Sequence, residues 1–134
     1  MGDNMSTSRT KARENAMTIL YQINLYNKNE INYDIKDLIE KIEDDFTKEI
    51  VVNVISKQNQ LDEKANKYLN NWNISRLGLT DAAILRVAIY ELLYTDTPEK
   101  VVINETIELS KKYSDDKVVK MINGTLDKIY HNKG

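Results

Sequence analysis

The sequence predicts an all-α fold, and three observations carry that prediction. Apolar residues recur at the helical period along almost the whole chain, no stretch offers a clear place for a strand, and residues that cap helix starts stand before several of the apolar stripes. With 134 residues, one Pro and four Gly, the chain fits a single compact domain, long enough to bury roughly two thirds of its unfolded surface. Residues 8–134 are read as that domain. Residues 1–7 are read as a disordered segment or a remnant of expression; with Met5 as the initiator the remnant is residues 1–4.

Taken in order, Ala12, Ala16, Ile19, Leu20 and Ile23 follow the i, i+4, i+7, i+8, i+11 series and predict a helix over residues 10–26, with Ser8 or Thr10 as N-cap. Ile35, Leu38, Ile39 and Ile42 form a short second stripe. Ile50, Val51, Val54, Ile55, Leu61, Ala65, Tyr68 and Leu69 form a long third one, ended by NNWN at 70–73. Thr80 is placed to cap the next helix, in which Ala82 to Leu93 are apolar apart from Arg86, Tyr90 and Glu91. A helix apolar on all sides belongs at the centre of a bundle. Thr97 and Pro98 supply a cap and first-turn signal for a helix carrying Val102, Ile103, Ile107, Leu109 and Tyr113. Ser114, Asp115 and Asp116 suit the start of a last helix, with Val118, Ile122, Leu126 and Ile129 as its core stripe. The dipeptide Asn123-Gly124 is also a hairpin signal, but the spacing of that stripe across it is helical. Gly124 is then expected to permit close approach by another backbone or by a ligand, close helix packing being the plainer of the two.

Composition argues against several chemistries. Without Cys there is no disulfide framework or thiolate metal site, and the single His131 stands outside any HExxH or ExxH spacing, so no metal is expected. No GxSxG, Walker loop or GxGxxG occurs, and neither a cofactor nor catalysis is expected. Glu105 and Glu108 could share a proton, but Lys111 and Lys112 stand at i+3 and i+4 from Glu108 as partners for an ordinary charged face. Arg86, flanked by apolar residues, requires a carboxylate partner in the fold. No apolar run reaches the roughly 18 residues of a membrane span and no secretory signal is present, so a cytoplasmic protein is expected. The MGDNMS start matches a myristoylation pattern only loosely.

The formal net charge is −2, yet SRTKARENA places Arg9, Lys11 and Arg13 at alternate positions of a helix start. Cations there oppose the macrodipole by about 0.3–1 kcal/mol each, which points to a use other than helix stability. Arg9, Arg13, Met17 and Tyr21 follow one i, i+4 stripe, so the cations lead into an aromatic ring. Phosphate attraction beside a π-face is the combination that holds single-stranded RNA.

Four stretches in order, ARENAMTILYQ at 12–22, RLGLTDAAILRVAIYELLY at 76–94, PEKVVINETIELSKKY at 98–113 and KMINGTLDKI at 120–129, resemble the NusB family of bacterial transcription antitermination factors. The resemblance spans about residues 8–130. It implies an all-helical fold of about seven helices in two packed sub-bundles and no enzymatic activity. It implies binding to the boxA element of ribosomal RNA transcripts together with ribosomal protein NusE, in a complex with other Nus factors on RNA polymerase. By position, Arg9, Lys11, Arg13 and Tyr21 match one RNA-contact region, and Asp116, Lys117, Lys120 and Met121 match a second. Many relatives carry Phe where Met121 stands, and often small polar residues at Val118 and Val119, so this second contact is expected to be weaker or differently shaped. Asp81 matches an acidic position for NusE, with Tyr90 and Glu91 as further, weaker matches. A homodimer is a further partner to consider, since some relatives oligomerise. The alternative function is a helical protein-interaction module without specific RNA binding. An Arg9→Ala, Arg13→Ala protein is expected to keep its fold and lose RNA affinity.

Overall fold

The structure, a computed structural model, describes residues 8–132; the expectations for residues 1–7 lie outside them. Among the described residues there are six α-helices: α1 (Arg9–Lys28), α2 (Ile35–Glu40), α3 (Asp45–Tyr68), α4 (Leu79–Tyr94), α5 (Glu99–Tyr113) and α6 (Asp116–His131). One turn of 3-10 helix, Ile74–Arg76, precedes α4. The fold is all-α as the periodicity requires, and the six α-helices with the 3-10 turn are close to the about seven helices that the resemblance implies.

Short polar side chains start most of these helices by accepting otherwise unpaired backbone N–H groups. Ser8 accepts from Lys11 N, Asp44 from Thr47 N and Asp115 from Val118 N. Two expected caps are displaced. α4 is capped at Gly78, because the 3-10 turn and the buried Leu77 deliver the chain there, and Thr80 falls inside the first turn. α5 is capped by the backbone of Pro98, while the Thr97 hydroxyl is engaged by Glu91 at 3.3 Å. At the other end of α3 the asparagine-rich stretch acts as read: the helix stops at Tyr68, and Asn71 takes a left-handed φ of 60°.

Every residue from Ala82 to Leu92 on α4 is buried. α1 and α3 pack on one side of it and α5 and α6 on another, so α4 is the shared member of two small bundles. α2 buries none of its own residues and rests on α3. Arg86 finds the carboxylate that its position demands. Asp62 of α3 accepts Nε at 2.7 Å and Nη2 at 3.1 Å in a two-pronged pair, the geometry that best offsets the desolvation of a guanidinium.

Gly124 does not serve helix packing. It lies within α6, and a Cβ added there would meet no atom within 4 Å. Of the two reasons proposed for a glycine at that position, close approach by another backbone of the fold is therefore removed. No described helix is long and apolar enough to cross a membrane.

Candidate nucleic-acid interface

The start of α1 presents its cations unequally. An i+4 step on an α-helix advances the direction by about 40°, so Arg9, Arg13, Met17 and Tyr21 sweep through about 120°. That sweep crosses the core. Arg9 and Lys11 are exposed, Arg13 and Met17 are buried, and Tyr21 emerges half-buried on the far side. No acidic residue occupies the first turn of α1; Lys11 pairs with Glu14 at 3.8 Å, while Arg9 is left to the ring of Phe46.

Arg13 is therefore a structural residue, a correction to its assignment as an RNA contact. Its Nε and Nη2 donate to the two carboxylate oxygens of Glu91 at 2.5 and 2.9 Å, and Nη1 donates to Glu105 at 3.3 Å. Burial alone would lower the pKa of this guanidinium, but the hydrogen bonds and charge of Glu91, supported by Glu105, outweigh it and raise the value. Glu91 is 2% exposed, so it is the buried counter-ion of Arg13 and not part of a partner surface. Tyr90, 4% exposed, is likewise withdrawn. Its hydroxyl donates to Glu49 at 3.1 Å, and burial first, then Glu49, push its pKa up to about 12. Both residues face inward because α4 is enclosed by other helices.

The carboxylates of α5 are also shared out differently from the helix-internal pairing expected. Glu105 accepts from Thr10 Oγ1 at 2.6 Å as well as from Arg13, and Lys112 reaches across to Glu14 at 2.8 Å; only Glu108 keeps a same-helix partner, Lys111. Tyr113 also donates to Glu14. Thus α1 and α5 are joined by a polar seam.

One ring at this end was not singled out from the sequence. Phe46, the single phenylalanine, is half-buried at the start of α3, with the Arg9 guanidinium 4.3 Å and that of Arg13 5.4 Å from its centroid. The signal was only that Phe46 extends the Ile50 stripe one turn back, to a helix start beside Asp44 and Asp45. An exposed cation stacked on an aromatic face is held in place without losing its charge.

The second region gathers at the start of α6. Asp116, Lys117 and Lys120 are exposed there, and Met121 is half-buried against the core. Lys117 Nζ stands 5.8 Å from the centroid of Trp72, a residue the sequence had marked only as a helix terminator. Asp81, in the first turn of α4, is half-buried and accepts a hydrogen bond from Ser114, tying α4 to the joint between α5 and α6. The two regions lie at opposite ends of α3. Phe46 and Tyr68, which mark them, are separated by about 33 Å at the α-helical rise.

Comparison with known proteins agrees with this architecture. The chain is 46% identical over 128 residues to the transcription antitermination protein NusB of Macrococcus caseolyticus, covering 94% of this chain and 98% of that protein. It is 39% identical over 122 residues to the protein of the same name from Listeria innocua, covering 90% and 94%. Among solved structures it is similar to T. maritima NusB, with a TM-score of 0.80, 30% identity and coverage of 94% and 92%. It is also similar to a chain from a complex of antitermination factors NusB and NusE with double-stranded RNA, with a TM-score of 0.73, 28% identity and coverage of 92% and 96%. The NusB family model matches residues 10–131, from the first turn of α1 to the last residue of α6, and the chain belongs to the NusB family.

Proposed function

We propose that this chain is a cytoplasmic, non-catalytic transcription antitermination factor that binds boxA RNA of ribosomal RNA transcripts together with ribosomal protein NusE, within an assembly of Nus factors on RNA polymerase. The observation that carries the RNA part is the start of α1. In an acidic protein, Arg9 and Lys11 are exposed on a helix start that repels them, with no acid in the first turn and Arg9 stacked on Phe46. Tyr21, about 120° around α1 from Arg9, is a separate candidate contact on the same helix, and Asp116, Lys117, Lys120 and Met121 form the second region. Asp81 is the candidate contact to NusE. Residues 8–134 act as one unit in this reading. A strand reaching from one region to the other needs on the order of ten stacked nucleotides at about 3.4 Å each.

The test is fluorescence anisotropy of labelled boxA-type RNA with and without NusE, against a scrambled RNA, at two salt concentrations. Selective binding, tightened by NusE, is expected. Arg9→Ala and Lys11→Ala should each weaken it and reduce the salt slope by about 0.7, without altering the far-UV spectrum. Absence of selectivity while NusE still binds would leave a protein-interaction module instead.

A further inference from the structure

A groove of about 240 Å³ runs between the end of α3 and the middle of α6, lined by Tyr68, Trp72, Lys120, Met121, Gly124 and Lys128 among others. Three features distinguish it. Its aromatic side is available: Trp72 is 37% exposed. Its charge has one sign, for Lys120 and Lys128 line it, Lys117 stands over Trp72, and no carboxylate is among its lining residues. The groove beside Arg9 is by contrast also lined by Glu49, Asp96 and Glu105. Finally, its floor is open at Gly124, where even a methyl group would meet nothing within 4 Å. A helix-interior glycine costs about 1 kcal/mol relative to alanine, and no packing against it in the described fold offsets that.

We propose that this groove seats one unpaired base of a bound RNA strand. Trp72 supplies the stacking face, Gly124 lets the nucleotide approach the α6 backbone, and Lys117, Lys120 and Lys128 neutralise the flanking phosphates. The inference rests on the RNA-binding reading above and adds Trp72, Gly124 and Lys128 to it. A protein segment is the poorer occupant, because the groove is small, strongly cationic and has aromatic faces in place of an aliphatic patch. The missing ring at Met121 is thereby replaced from a different part of the chain.

Trp72 is the chain's single tryptophan, so its emission reports on this groove alone. The unmodified protein is titrated with unlabelled single-stranded boxA-type RNA while Trp72 fluorescence is read, and binding is measured in parallel by anisotropy of labelled RNA. Quenching that follows the anisotropy isotherm is expected. Trp72→Ala should weaken binding at least about fivefold, the low end for loss of a stacking ring, whereas Trp72→Phe stays near the parent. Gly124→Leu fills the groove while leaving Trp72 in the sequence and should also weaken binding, its thermal melt showing that the helix persists. RNA that binds with unchanged emission and equal affinity for Trp72→Ala would overturn this inference alone. No RNA binding by anisotropy would overturn the RNA reading and this one with it. Quenching by polyglutamate as strong as that by RNA would overturn it in favour of an acidic peptide.

Discussion

Replacing Arg13 with alanine tests whether this cation belongs to the core or to the RNA. The substitution deletes two hydrogen bonds to Glu91 and one to Glu105. Glu105 keeps Thr10 and is partly solvated, with 29% of its side chain exposed. Glu91 is 2% exposed and retains only the 3.3 Å bond from Thr97. Removing one partner of a buried ion pair typically costs about 3–5 kcal/mol, because the other charge is left uncompensated. The penalty is thus expected at about 3–5 kcal/mol. Urea unfolding followed by circular dichroism should show the midpoint lowered by on the order of 2 M with the slope unchanged. A cycle with Glu91→Ala should be strongly non-additive, the double variant losing much less than the sum of the two singles. An Arg9→Ala, Arg13→Ala protein consequently carries this folding penalty as well as any RNA defect, unlike the fold-neutral behaviour anticipated from sequence. A loss below about 1 kcal/mol for Arg13→Ala, with an additive cycle, would refute the reasoning.

Three further outcomes follow from particular contacts. Hydrogen bonds from Lys112, then Tyr113, hold the Glu14 carboxyl below its ordinary pKa. A lowered folded-state pKa contributes stability that is present above the unfolded value and is lost as pH falls through the folded one, so stability should drop between about pH 5 and 3, and less steeply in Glu14→Gln; equal acid profiles from thermal melts would contradict this. Gly124→Ala should raise stability by about 0.5–1 kcal/mol in calorimetry, since the added methyl meets open space on a helix that gains propensity. Asp62→Ala strands the buried guanidinium of Arg86 and should lose about 3 kcal/mol in the same calorimetric assay, whereas a loss comparable to that of the exposed pair Asp37–Lys41 would argue that Arg86 finds water.

By itself the sequence determined what depends on near neighbours. The six helices, the caps at Ser8 and Asp115, and the enclosure of α4 are all legible, because helical period and capping are set within a few residues. The demand of Arg86 for a carboxylate could be stated, though Asp62 could not be named. Charge at the start of α1 was visible as a pattern too. What only the tertiary structure decided was which of those cations is free. Arg9 and Arg13 are one turn apart and chemically alike, yet the 40° step between them turns one toward Phe46 at the surface and the other toward Glu91, 78 residues away. The same holds for Tyr90 and Glu91, polar residues that resemble a binding edge until the helices around α4 enclose them. Trp72 and Gly124 face one groove although they are far apart in sequence, on a loop and on a helix whose own patterns say nothing about each other. Local rules fix how each segment coils, but the partner of a buried charge and the opposite wall of a groove are set by packing between segments distant along the chain.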